Sequence, residues 1–481
     1  MAFIPRLPTL SQSESLTNHA DYHGTPSVSA KSARTQHSPT AQRQCNRALA
    51  NLSCWLLVVI LGVPLAAQTQ VPRKYFGMQM HSGVITRQPW PVVSFGTMRL
   101  WDAGVQWHDI NTAPGVYDWT KLDLWLADAK AHDADVLYAF ARTPQWASSN
   151  PYDPSCGEGP GLCDPPNDLN ADGTGSDQHW QDFVTAIVTH SKNSSNAHIQ
   201  YWELWNEAYN PLSWSGTIPQ MIRISRDATR IIKSIDPTAV ILSPSVDIEG
   251  LKGRNWLTNY LAAGGGQYFD RVAFHGYVQK AGMGYPVPEN ILDYISMTRT
   301  ILNAYGQGGK GLWDTEASWG KPSLSDFTDL DLQAAFLARF YFVHRAAGVR
   351  RFLWYQWNQN TTGAGTLWIP DPNLPSAPGT VLKPGVAYAQ VYDWMVGANL
   401  NGCSSSGTIW TCQLSRSGGY VAEAIWDTSQ TCANGSCTTV GYTVDPQYVR
   451  YRALDGSITS ITGFMVPVGI KPILLENGSP R

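Results

Sequence analysis

The feature that most constrains the fold is an alternation of short apolar segments with amphipathic segments between residues 74 and 398. Aromatic and β-branched residues dominate the short segments, as is typical of strands. The predicted strands are residues 75–81, 95–101, 135–141, 199–205, 240–243, 271–277, 310–316 and 351–358. The predicted helices are residues 119–132, 180–187, 219–235, 289–305, 326–347 and 384–398. This order predicts an α/β fold, a (β/α)8 TIM barrel over residues 70–398, with functional residues at the carboxyl ends of the strands.

The composition changes from residue 399 onward, where Ser, Thr, Gly and Val dominate and helical periodicity disappears. Alternating apolar and polar residues occur in segments 408–414, 420–426, 448–453 and 471–476. These segments predict a small C-terminal antiparallel β-sandwich domain over residues 399–481. Because the segment that joins it to the barrel is short, we expect this domain to brace the barrel rather than to act as a separate binding module.

The N-terminal region has two parts. Residues 1–53 are polar and without apolar periodicity, so we expect a disordered leader. Residues 54–68 are uncharged and mostly apolar, and Arg43 and Arg47 precede them. This pattern predicts the apolar region of a signal peptide, with an N-terminal membrane anchor as the alternative. Both interpretations predict export, either to a secreted or periplasmic location or to a membrane-anchored domain outside the cytoplasm.

Charge and cysteine placement agree with export. Residues 1–68 carry five Lys/Arg and two Asp/Glu, so the net charge of −3 becomes −6 without them, and no basic surface predicts a nucleic-acid partner. Six of the eight cysteines form close pairs outside the leader: Cys156/Cys163, Cys403/Cys412 and Cys432/Cys437. Six cysteines allow fifteen connectivities, and local disulfides are the simplest. A zinc site is the alternative, but the spacing does not favour it. We predict no metal and no cofactor.

Two glutamates follow apolar strands among tryptophans. Glu207 closes the segment Tyr201-Trp-Glu-Leu-Trp-Asn-Glu, and Glu316 closes a second segment that begins at Lys310. Hydrolysis of a glycosidic bond needs two such carboxyl groups, one to protonate the leaving oxygen and one to attack or stabilise the sugar carbon. The excess of aromatic residues, with 20 Trp and 21 Tyr, fits a surface that stacks on sugars. Ion pairs at the ends of two strands are the alternative explanation.

Polar residues inside two further predicted strands also require an explanation. Arg99 shares one strand face with Thr97 and Trp101. Since a parallel strand is normally apolar on both faces, Arg99 must point into a polar interior or a site. His275 and Tyr277 share a face of the sixth strand in the same way. Glu203, two residues before Trp205, is interpreted as a buried structural ion-pair partner, and a supporting contact to the site residues is the alternative.

Together these motifs resemble glycoside hydrolase clan A. The motifs are Trp205-Asn-Glu207, His275-Gly-Tyr277, Glu316, Arg99 and Trp357. The early barrel, with Arg99-Leu-Trp-Asp102, Trp107 and Gly115-Val-Tyr-Asp-Trp119, is similar to that of glycoside hydrolase family 39. The resemblance covers roughly residues 75 to 400.

The resemblance implies a role for each residue that stands at a motif position. Glu207 would be the general acid/base and Glu316 the nucleophile. Asn206 would hold the 2-hydroxyl of the sugar, Arg99 and Tyr277 would hydrogen-bond Glu316, His275 would orient the network, and Trp357 would form the floor of the cleavage subsite. Weaker candidates for substrate contact are Gln79, His81, Trp146 and Trp319. Asp102, Asp314 and Tyr355 are expected to line the barrel without a role.

The sequence therefore predicts a secreted retaining β-glycosidase that hydrolyses O-glycosidic bonds of a plant or microbial polysaccharide by double displacement. A transglycosylase and a catalytically inactive carbohydrate-binding barrel are the alternatives. Retention requires the carboxyl groups to lie about 5 Å apart, and inversion requires roughly 6.5–9.5 Å. The two groups also need different pKa values, and we expect Arg99 to keep Glu316 ionised while Trp202 and Trp205 surround Glu207.

A long loop, residues 147–177, follows the third predicted strand. Loops of this length in compact domains are usually functional. Its segment Asp168-Leu-Asn-Ala-Asp-Gly173 resembles the start of a calcium loop, although His179 stands where the final glutamate should be. An Asx-rich turn is the alternative. We expect Ser176 or Asp177 to cap the following helix.

Overall fold

The structure is a computed structural model that describes residues 70–81, 90–278, 286–320, 327–358, 365–370 and 379–479. The predicted leader, residues 1–53, and the predicted signal or anchor segment, residues 54–68, lie outside the described residues. Within the described ranges, no helix is long and apolar enough to pass through a bilayer.

Eight parallel strands form the central sheet. In chain order they are β1 (Phe76–Gln79), β2 (Thr97–Leu100), β3 (Asp135–Ala139), β4 (Tyr201–Glu203), β5 (Val240–Leu242), β6 (Val272–His275), β7 (Leu312–Ala317) and β8 (Val349–Trp354). Each strand pairs with the next strand of the chain except at β5 and β6, which form the two ends of the sheet order, and β8 pairs with β1. A parallel bridge between Leu242 and Arg271 joins β5 to β6 and closes the ring. The predicted (β/α)8 barrel is confirmed.

A helix follows each strand from β2 onward. The helices are α1 (Thr120–Ala131), α2 (Gln178–Asn193), α3 (Ile218–Ile235), α4 (Leu251–Ala262), α5 (Ile291–Ala304), α6 (Leu330–Ala346) and α7 (Lys383–Met395). The start of α3 is set by a capping box, in which the Thr217 side chain accepts from the Gln220 backbone N–H. Of these seven helices, α4 was not predicted, and neither was a short helix at Trp107–Ile110. Gly253 interrupts the pattern of α4, and a Cβ there would lie 1.9 Å from the Asp247 carbonyl oxygen, so packing requires this glycine.

The C-terminal region is antiparallel, as predicted. A six-stranded sheet contains β9 (Asn399–Ser406), β10 (Ile409–Arg416), β11 (Tyr420–Asp427), β12 (Arg450–Arg452), β13 (Ile458–Ser460) and β14 (Ile473–Glu476), in the spatial order β9-β10-β11-β14-β12-β13. A pair of strands, Thr439–Thr443 and Met465–Gly469, covers one face and encloses a small core that includes Val466, Val468 and Leu475. The sequence analysis missed β9 because its mostly exposed residues show no apolar alternation.

The three local disulfides are confirmed. Cys156 and Cys163 join two points of the long loop, with their Cα atoms 5.2 Å apart. Cys403 and Cys412 link β9 to β10 at 4.1 Å, and Cys432 and Cys437 close a short hairpin at 4.0 Å. All three separations are within or close to the usual disulfide range of about 4.4–6.8 Å.

The β region packs directly on the barrel. Trp426 Nε1 donates to Glu289 Oε1 at 2.9 Å, and Lys471 Nζ donates to Asp331 Oδ1 at 2.8 Å. Buried side chains of β10, β11 and β14 belong to the same continuous apolar core as those of α6. These contacts support the expected bracing role. Because the core is shared, the domain bounds 70–398 and 399–481 stay predictions.

Candidate active site

Three neighbouring strands end in residues with unusual backbone conformations. Asp102, Arg142 and Glu207 follow β2, β3 and β4, and their φ angles are 54°, 63° and 48°. Residues other than glycine rarely adopt positive φ, and such strain often marks functional sites. The backbone N–H of Glu207 donates to Ser245 Oγ at 3.0 Å, which fixes this turn at the carboxyl end of β4.

Glu316 lies inside β7 rather than after it, and it is 8% exposed. Tyr277 Oη donates to its Oε1 at 3.0 Å, and Arg99 Nη1 donates to its Oε2 at 2.8 Å. Each carboxylate oxygen therefore has one strong donor. This geometry places Arg99 and Tyr277 where the sequence analysis expected them.

The two glutamates face each other across His275. One carboxylate oxygen from each glutamate and one ring nitrogen of His275 lie within 4.8 Å of one another. His275 Nδ1 lies 3.1 Å from Glu207 Oε1, and His275 Nε2 lies 4.0 Å from Glu316 Oε2. Residues that are far apart in the chain thus form one cluster at the carboxyl end of the barrel.

Arg99 organises this cluster from inside the barrel, where it is 1% exposed. It makes a bidentate pair with Glu203, with Nε–Oε2 and Nη2–Oε1 distances of 2.9 and 2.8 Å. Nη1 also donates to Gln79 Oε1 at 3.1 Å, and Nη2 donates to Asn206 Oδ1 at 2.6 Å. With the bond to Glu316, all five N–H groups of the guanidinium are used. Glu203 is thus the ion-pair partner that was expected, and Gln79, which had been a candidate for substrate contact, helps to hold Arg99 in place.

The bond from Arg99 also fixes the orientation of Asn206. Because Asn206 Oδ1 accepts from Arg99, the amide nitrogen Nδ2 points away from the guanidinium. Within the described residues, Nδ2 has no hydrogen-bond acceptor. It is therefore available as a donor next to the two glutamates.

The pKa values of the two glutamates are shifted in the direction opposite to the expected one. Burial raises the pKa of Glu316, and the negative charges of Glu207 and Asp102 add to this, against the lowering effect of His275 and Arg99. For Glu207, burial would raise the pKa, but the hydrogen bond and charge of His275 outweigh it and leave the pKa lowered. The expected split was therefore wrong for the free protein.

The expected pKa split fails because the side chains of Trp202 and Trp205 point away from Glu207. Trp202 packs on Tyr138 and Phe140, and Trp205 packs on Trp180 and Trp214, so both rings lie between the barrel and its helices. Neither ring provides the apolar surroundings that the sequence analysis assigned to Glu207. His275 takes that place instead. Burial would lower the pKa of His275, but the neighbouring Glu316 and Glu207 raise it above its usual value.

The remaining candidates lie at the same end of the barrel or in its core. Trp357 is 2% exposed and stacks on Trp368 with ring centroids 6.3 Å apart, and its role as the floor of the cleavage subsite stays a prediction. The His81 backbone N–H donates to Asn358 Oδ1 at 3.0 Å, at the ends of β1 and β8. Trp319 packs against Phe327, Phe336 and Trp354 in the core. Trp146 is half-buried and lines a groove described below.

Sequence reasoning missed several contacts of the cluster. Asn210 Nδ2 lies 3.4 Å from Glu207 Oε2. Tyr355 Oη donates to Asp102 Oδ2 at 2.9 Å, and Arg142 Nη2 donates to Asp102 Oδ1 at 3.1 Å. Asp102 and Tyr355, which had been left without a role, thus connect β2 to β8 beside Glu316. Their position at strand ends was the only signal in the sequence.

The Asp168 loop folds as an Asx-rich turn. Asp168 Oδ2 accepts from the backbone N–H groups of Gln178 and His179 at 2.6 and 3.2 Å, so Asp168 caps α2. Asp172 Oδ1 accepts from the Thr174 N–H at 2.9 Å. The prediction that Ser176 or Asp177 caps the helix was wrong, because Asp177 has positive φ and its side chain turns inward.

The cluster of Glu207, His275 and Glu316 has three groups that can ligate a metal. However, the Arg99 guanidinium already occupies Glu316 Oε2 and lies 3.4 Å from His275 Nε2. A fixed positive charge at this distance opposes a cation and favours anionic carboxylates. The arrangement therefore suits proton transfer and nucleophilic attack.

The fold is a (β/α)8 barrel, and its site contains two glutamates that face each other, one on β7 and one after the end of β4. No family model and no curated protein sequence matches the chain. Solved structures share the fold. A family 39 glycoside hydrolase from the gut symbiont Bacteroides cellulosilyticus WH2 has a TM-score of 0.61 and 16% identity, over 84% of this chain and 80% of that chain.

Two further structures are similar. A monomeric β-xylosidase from Caulobacter crescentus CB15 has a TM-score of 0.59 and 16% identity, over 85% of this chain and 96% of that chain. A GH30 endoxylanase from Clostridium papyrosolvens C71 has a TM-score of 0.55 and 14% identity, over 85% and 97%. At these identities the likeness establishes the fold, and function must be argued from the site.

Proposed function

We propose that the protein is an exported retaining β-glycosidase in which Glu316 is the nucleophile and Glu207 is the general acid/base. The observation that carries this proposal is the separation of the two carboxyl groups, whose nearest oxygens lie within 4.8 Å. Retaining enzymes hold their carboxyl groups about 5–5.5 Å apart, whereas inverting enzymes leave roughly 6.5–9.5 Å for a water molecule. The close pair leaves no such room.

In the first step, a Glu316 oxygen attacks the anomeric carbon while Glu207 gives its proton to the glycosidic oxygen. The bond from carbon to leaving oxygen breaks, and a glycosyl ester on Glu316 forms. In the second step, Glu207 takes a proton from water, and the water oxygen attacks the same carbon. The ester bond breaks, and both glutamates return to their starting states.

The coupling between the two glutamates drives the change in the role of Glu207. The negative charge of Glu207 is one cause of the raised pKa of Glu316, so a proton on Glu207 lowers the pKa of Glu316 and favours the ionised nucleophile. When Glu316 becomes an ester, its negative charge disappears. The pKa of Glu207 then falls, which suits its second role as a base.

His275 can hold the proton that Glu207 needs as the general acid. A protonated His275 beside ionised Glu207 and a neutral His275 beside protonated Glu207 differ by one proton moved along a 3.1 Å contact. Both forms keep the same total charge in the buried cluster. Binding of a substrate, whose glycosidic oxygen needs a donor, favours the second form. His275 is therefore a positioning residue for the acid.

Arg99 and Asn206 complete the cleavage site. Arg99 holds Glu316 and Asn206 together through one guanidinium. Asn206 Nδ2 is placed to donate to the sugar 2-hydroxyl, an interaction that strengthens in the oxocarbenium-like transition state.

The structural neighbours suggest the substrate class. One of them is named a β-xylosidase and another an endoxylanase, so β-linked xylose polymers are the first substrates to test. Three disulfides fit an oxidising compartment, which supports export. Product analysis with added acceptor sugars separates hydrolysis from transglycosylation.

The assignment can be tested with Glu316→Ala and Glu207→Ala, with Glu423→Ala in β11 as a control that removes a carboxyl group outside the barrel. Aryl β-xyloside turnover should fall by about 10⁴-fold or more in Glu316→Ala, because covalent catalysis is lost. Added azide should rescue both site variants. In Glu316→Ala, azide enters the vacated space and gives the α-glycosyl azide. In Glu207→Ala, azide attacks the glycosyl ester and gives the β-glycosyl azide.

The azide products discriminate the roles because the two carboxyl groups flank opposite sides of the anomeric carbon. Exchanged stereochemistry would reverse the assignment. Full turnover by Glu316→Ala would refute it. The absence of turnover in the wild type, with sugar binding preserved, would indicate the inactive carbohydrate-binding barrel.

A further inference from the structure

A concavity lies at the carboxyl end of the barrel, among the segments that follow β2 and β3. We call it the loop groove and define it by His108 and Thr112, which follow β2, and by Pro144, Trp146 and Tyr152, which follow β3. Its volume is about 760 Å³. Pockets that bind small-molecule ligands typically have about 300–1,000 Å³. The groove is therefore large enough for a ligand of more than one sugar unit.

The topology places the loop groove at the catalytic end of the barrel. Trp146 lies in the loop after β3, and His108 lies in the connection after β2. Strand β3 pairs with both β2, which carries Arg99, and β4, which is followed by Glu207. The groove thus lies at strand ends next to those that carry Arg99 and precede Glu207.

Polar contacts connect the groove to the cleavage site. Tyr355, whose pKa is raised by burial and also by the charges of Asp102 and Glu316, bonds to Asp102. Asp102 pairs with Arg142, and Arg142 Nη2 lies 3.1 Å from Glu158 Oε2 in the long loop. One chain of contacts therefore runs from the neighbourhood of Glu316 to the groove wall.

The wall of the groove is held rigidly. The disulfide between Cys156 and Cys163 constrains the loop. Ser148 Oγ donates to the Gly161 carbonyl at 2.8 Å, and Gln145 Nε2 donates to the Pro160 carbonyl at 3.1 Å. A wall that is already ordered loses little conformational freedom when it binds a ligand.

The lining of the groove has the chemistry of a site for neutral sugars. Trp146 is fixed by its Nε1–H, which donates to the Asn111 carbonyl at 2.9 Å, and the Tyr152 side chain is 81% exposed. Aromatic side chains combine an apolar face with a polar edge. Thr112 and Asn167 add hydroxyl and amide groups, and among the described residues no Lys, Arg, Asp or Glu lines the groove. An uncharged oligosaccharide satisfies these surfaces better than an acidic one.

We propose that the loop groove binds additional sugar units of a neutral polysaccharide whose cleaved bond lies between Glu207 and Glu316. This inference rests on the proposed function and extends it. The protein then acts preferentially on chains of several units, with Tyr152 and Trp146 as the stacking residues farthest from the cleaved bond.

The test measures binding and turnover separately. Binding of xylobiose through xylohexaose, and of the matching cello-oligosaccharides, is measured by calorimetry in the Glu316→Ala background, with and without Tyr152→Ala. Turnover of the same series is compared with that of an aryl β-xyloside. Phe464→Ala is the matched control, since Phe464 is an exposed aromatic residue of the C-terminal region, 60% exposed.

Affinity should rise with chain length, and Tyr152→Ala should remove about tenfold of it for the longest chain, which corresponds to about 1.4 kcal/mol. The ratio of kcat/KM for the hexaose to that for the aryl glycoside should fall by a similar factor. Trp146→Phe, which keeps a ring but loses the bond to Asn111, should produce a smaller loss. Phe464→Ala should change neither quantity.

Affinity that does not depend on chain length, or that is the same with and without Tyr152, would overturn the groove proposal even in an active enzyme. If chains bind through Tyr152 but the wild-type protein hydrolyses none of them, the proposed function fails while the groove stands.

Discussion

The two ends of the barrel each contain a buried arginine, and the two arginines do different work. At the amino end, Arg351 of β8 pairs with Asp135 at 2.8 Å and donates to Thr97 Oγ1 and Tyr201 Oη, each at 2.7 Å. Its guanidinium lies 4.3 Å from the ring centroids of both Tyr201 and Trp313. At the carboxyl end, Arg99 is surrounded mainly by polar partners, Glu203, Glu316, Asn206 and Gln79, and one ring, that of Trp101, lies farther away at 5.7 Å.

The charge balance explains the difference. At the amino end, Lys74 joins Arg351 against the single carboxylate of Asp135, so positive charge is in excess. At the carboxyl end, Arg99 and His275 oppose the three carboxyl groups of Glu203, Glu207 and Glu316. At this end the carboxyl groups outnumber the cations beside them, so the cluster can hold an additional proton. That proton can move between the groups of the cluster. The comparison indicates that one end of the barrel is built for stability and the other for proton transfer.

The largest expected effect separates the two arginines. Arg99→Met should lower kcat/KM by about 10²–10³-fold, because it removes a preorganised donor to the nucleophile, and should cost roughly 3–5 kcal/mol of unfolding free energy. Arg351→Met should also lower the unfolding free energy but should leave kcat/KM of the folded protein unchanged within about twofold. Chemical denaturation and steady-state kinetics measure the two quantities. Equal losses of kcat/KM in both variants would break the comparison.

The second prediction concerns the hydroxyl groups at the two ends. Tyr277→Phe removes the donor to Glu316 Oε1 and should lower kcat by roughly 10–100-fold, since hydrogen bonds to charged groups contribute about 1.5–3 kcal/mol. Loss of this donor should raise the pKa of Glu316 further, so the acidic limb of the pH profile should move to higher pH. Tyr201→Phe at the amino end is the matched control and should leave the pH profile in place. An unmoved acidic limb in Tyr277→Phe would show that the hydroxyl does not support the nucleophile.

These predictions also show what the sequence could and could not reveal. The alternation of β2 correctly placed Thr97 and Arg99 on one face, because side-chain direction in a strand follows local sequence. Thr97 lies at the amino end of the barrel interior, where Arg351 donates to its Oγ1. Arg99 lies at the carboxyl end, where it donates to Glu316. The motifs also singled out Glu207 and Glu316, which the structure brings close together, and their catalytic roles stay a proposal. The distance between them could not be predicted, because it depends on barrel closure and on the exact turn at Glu207.

The errors have physical causes of the same kind. Trp202 and Trp205 were assigned to the site from proximity in sequence, yet their rings face the helices. Glycine at position 253 weakened the pattern of α4, although packing against Asp247 requires it. Asp168, rather than Asp177, caps α2 because the loop brings Asp168 back to the start of the helix. A capping rule that considers only the residues next to the helix cannot detect this.

A buried carboxyl group at the start of α2 sharpens the comparison with a smaller effect. Asp177 is fully buried, neither of its oxygens accepts a hydrogen bond from an N–H donor of the described residues, and Arg223 lies 4.0 Å away. Burial, and then the charge of Asp227, raise the pKa of Asp177 to about 8. Unlike Glu316, Asp177 has no donor of its own. The burial of the Asp177 carboxyl group therefore lowers the unfolding free energy, and the group has no role in the proposed reaction.

The sign of this effect follows from linkage. The unfolded chain releases the Asp177 proton near its ordinary pKa of about 4, while the folded protein keeps it until about pH 8. Between these values the folded state binds more protons, so the unfolding free energy falls as pH rises, by at most about 1.4 kcal/mol per pH unit. Asp177→Asn should flatten this decline in urea denaturation series from pH 5 to 8. A decline as steep as that of the wild type would contradict the assignment.

The most direct test of the central claim is covalent trapping on Glu316. A 2-deoxy-2-fluoro-β-xyloside with a good leaving group slows both steps, because fluorine destabilises the oxocarbenium-like transition state, and it lets the glycosyl ester accumulate when the ester forms faster than it breaks. Mass spectrometry of the digested protein should then find one sugar on the peptide that contains Glu316. A sugar on the peptide that contains Glu207, or turnover of the same compound with inversion at the anomeric carbon, would contradict the account.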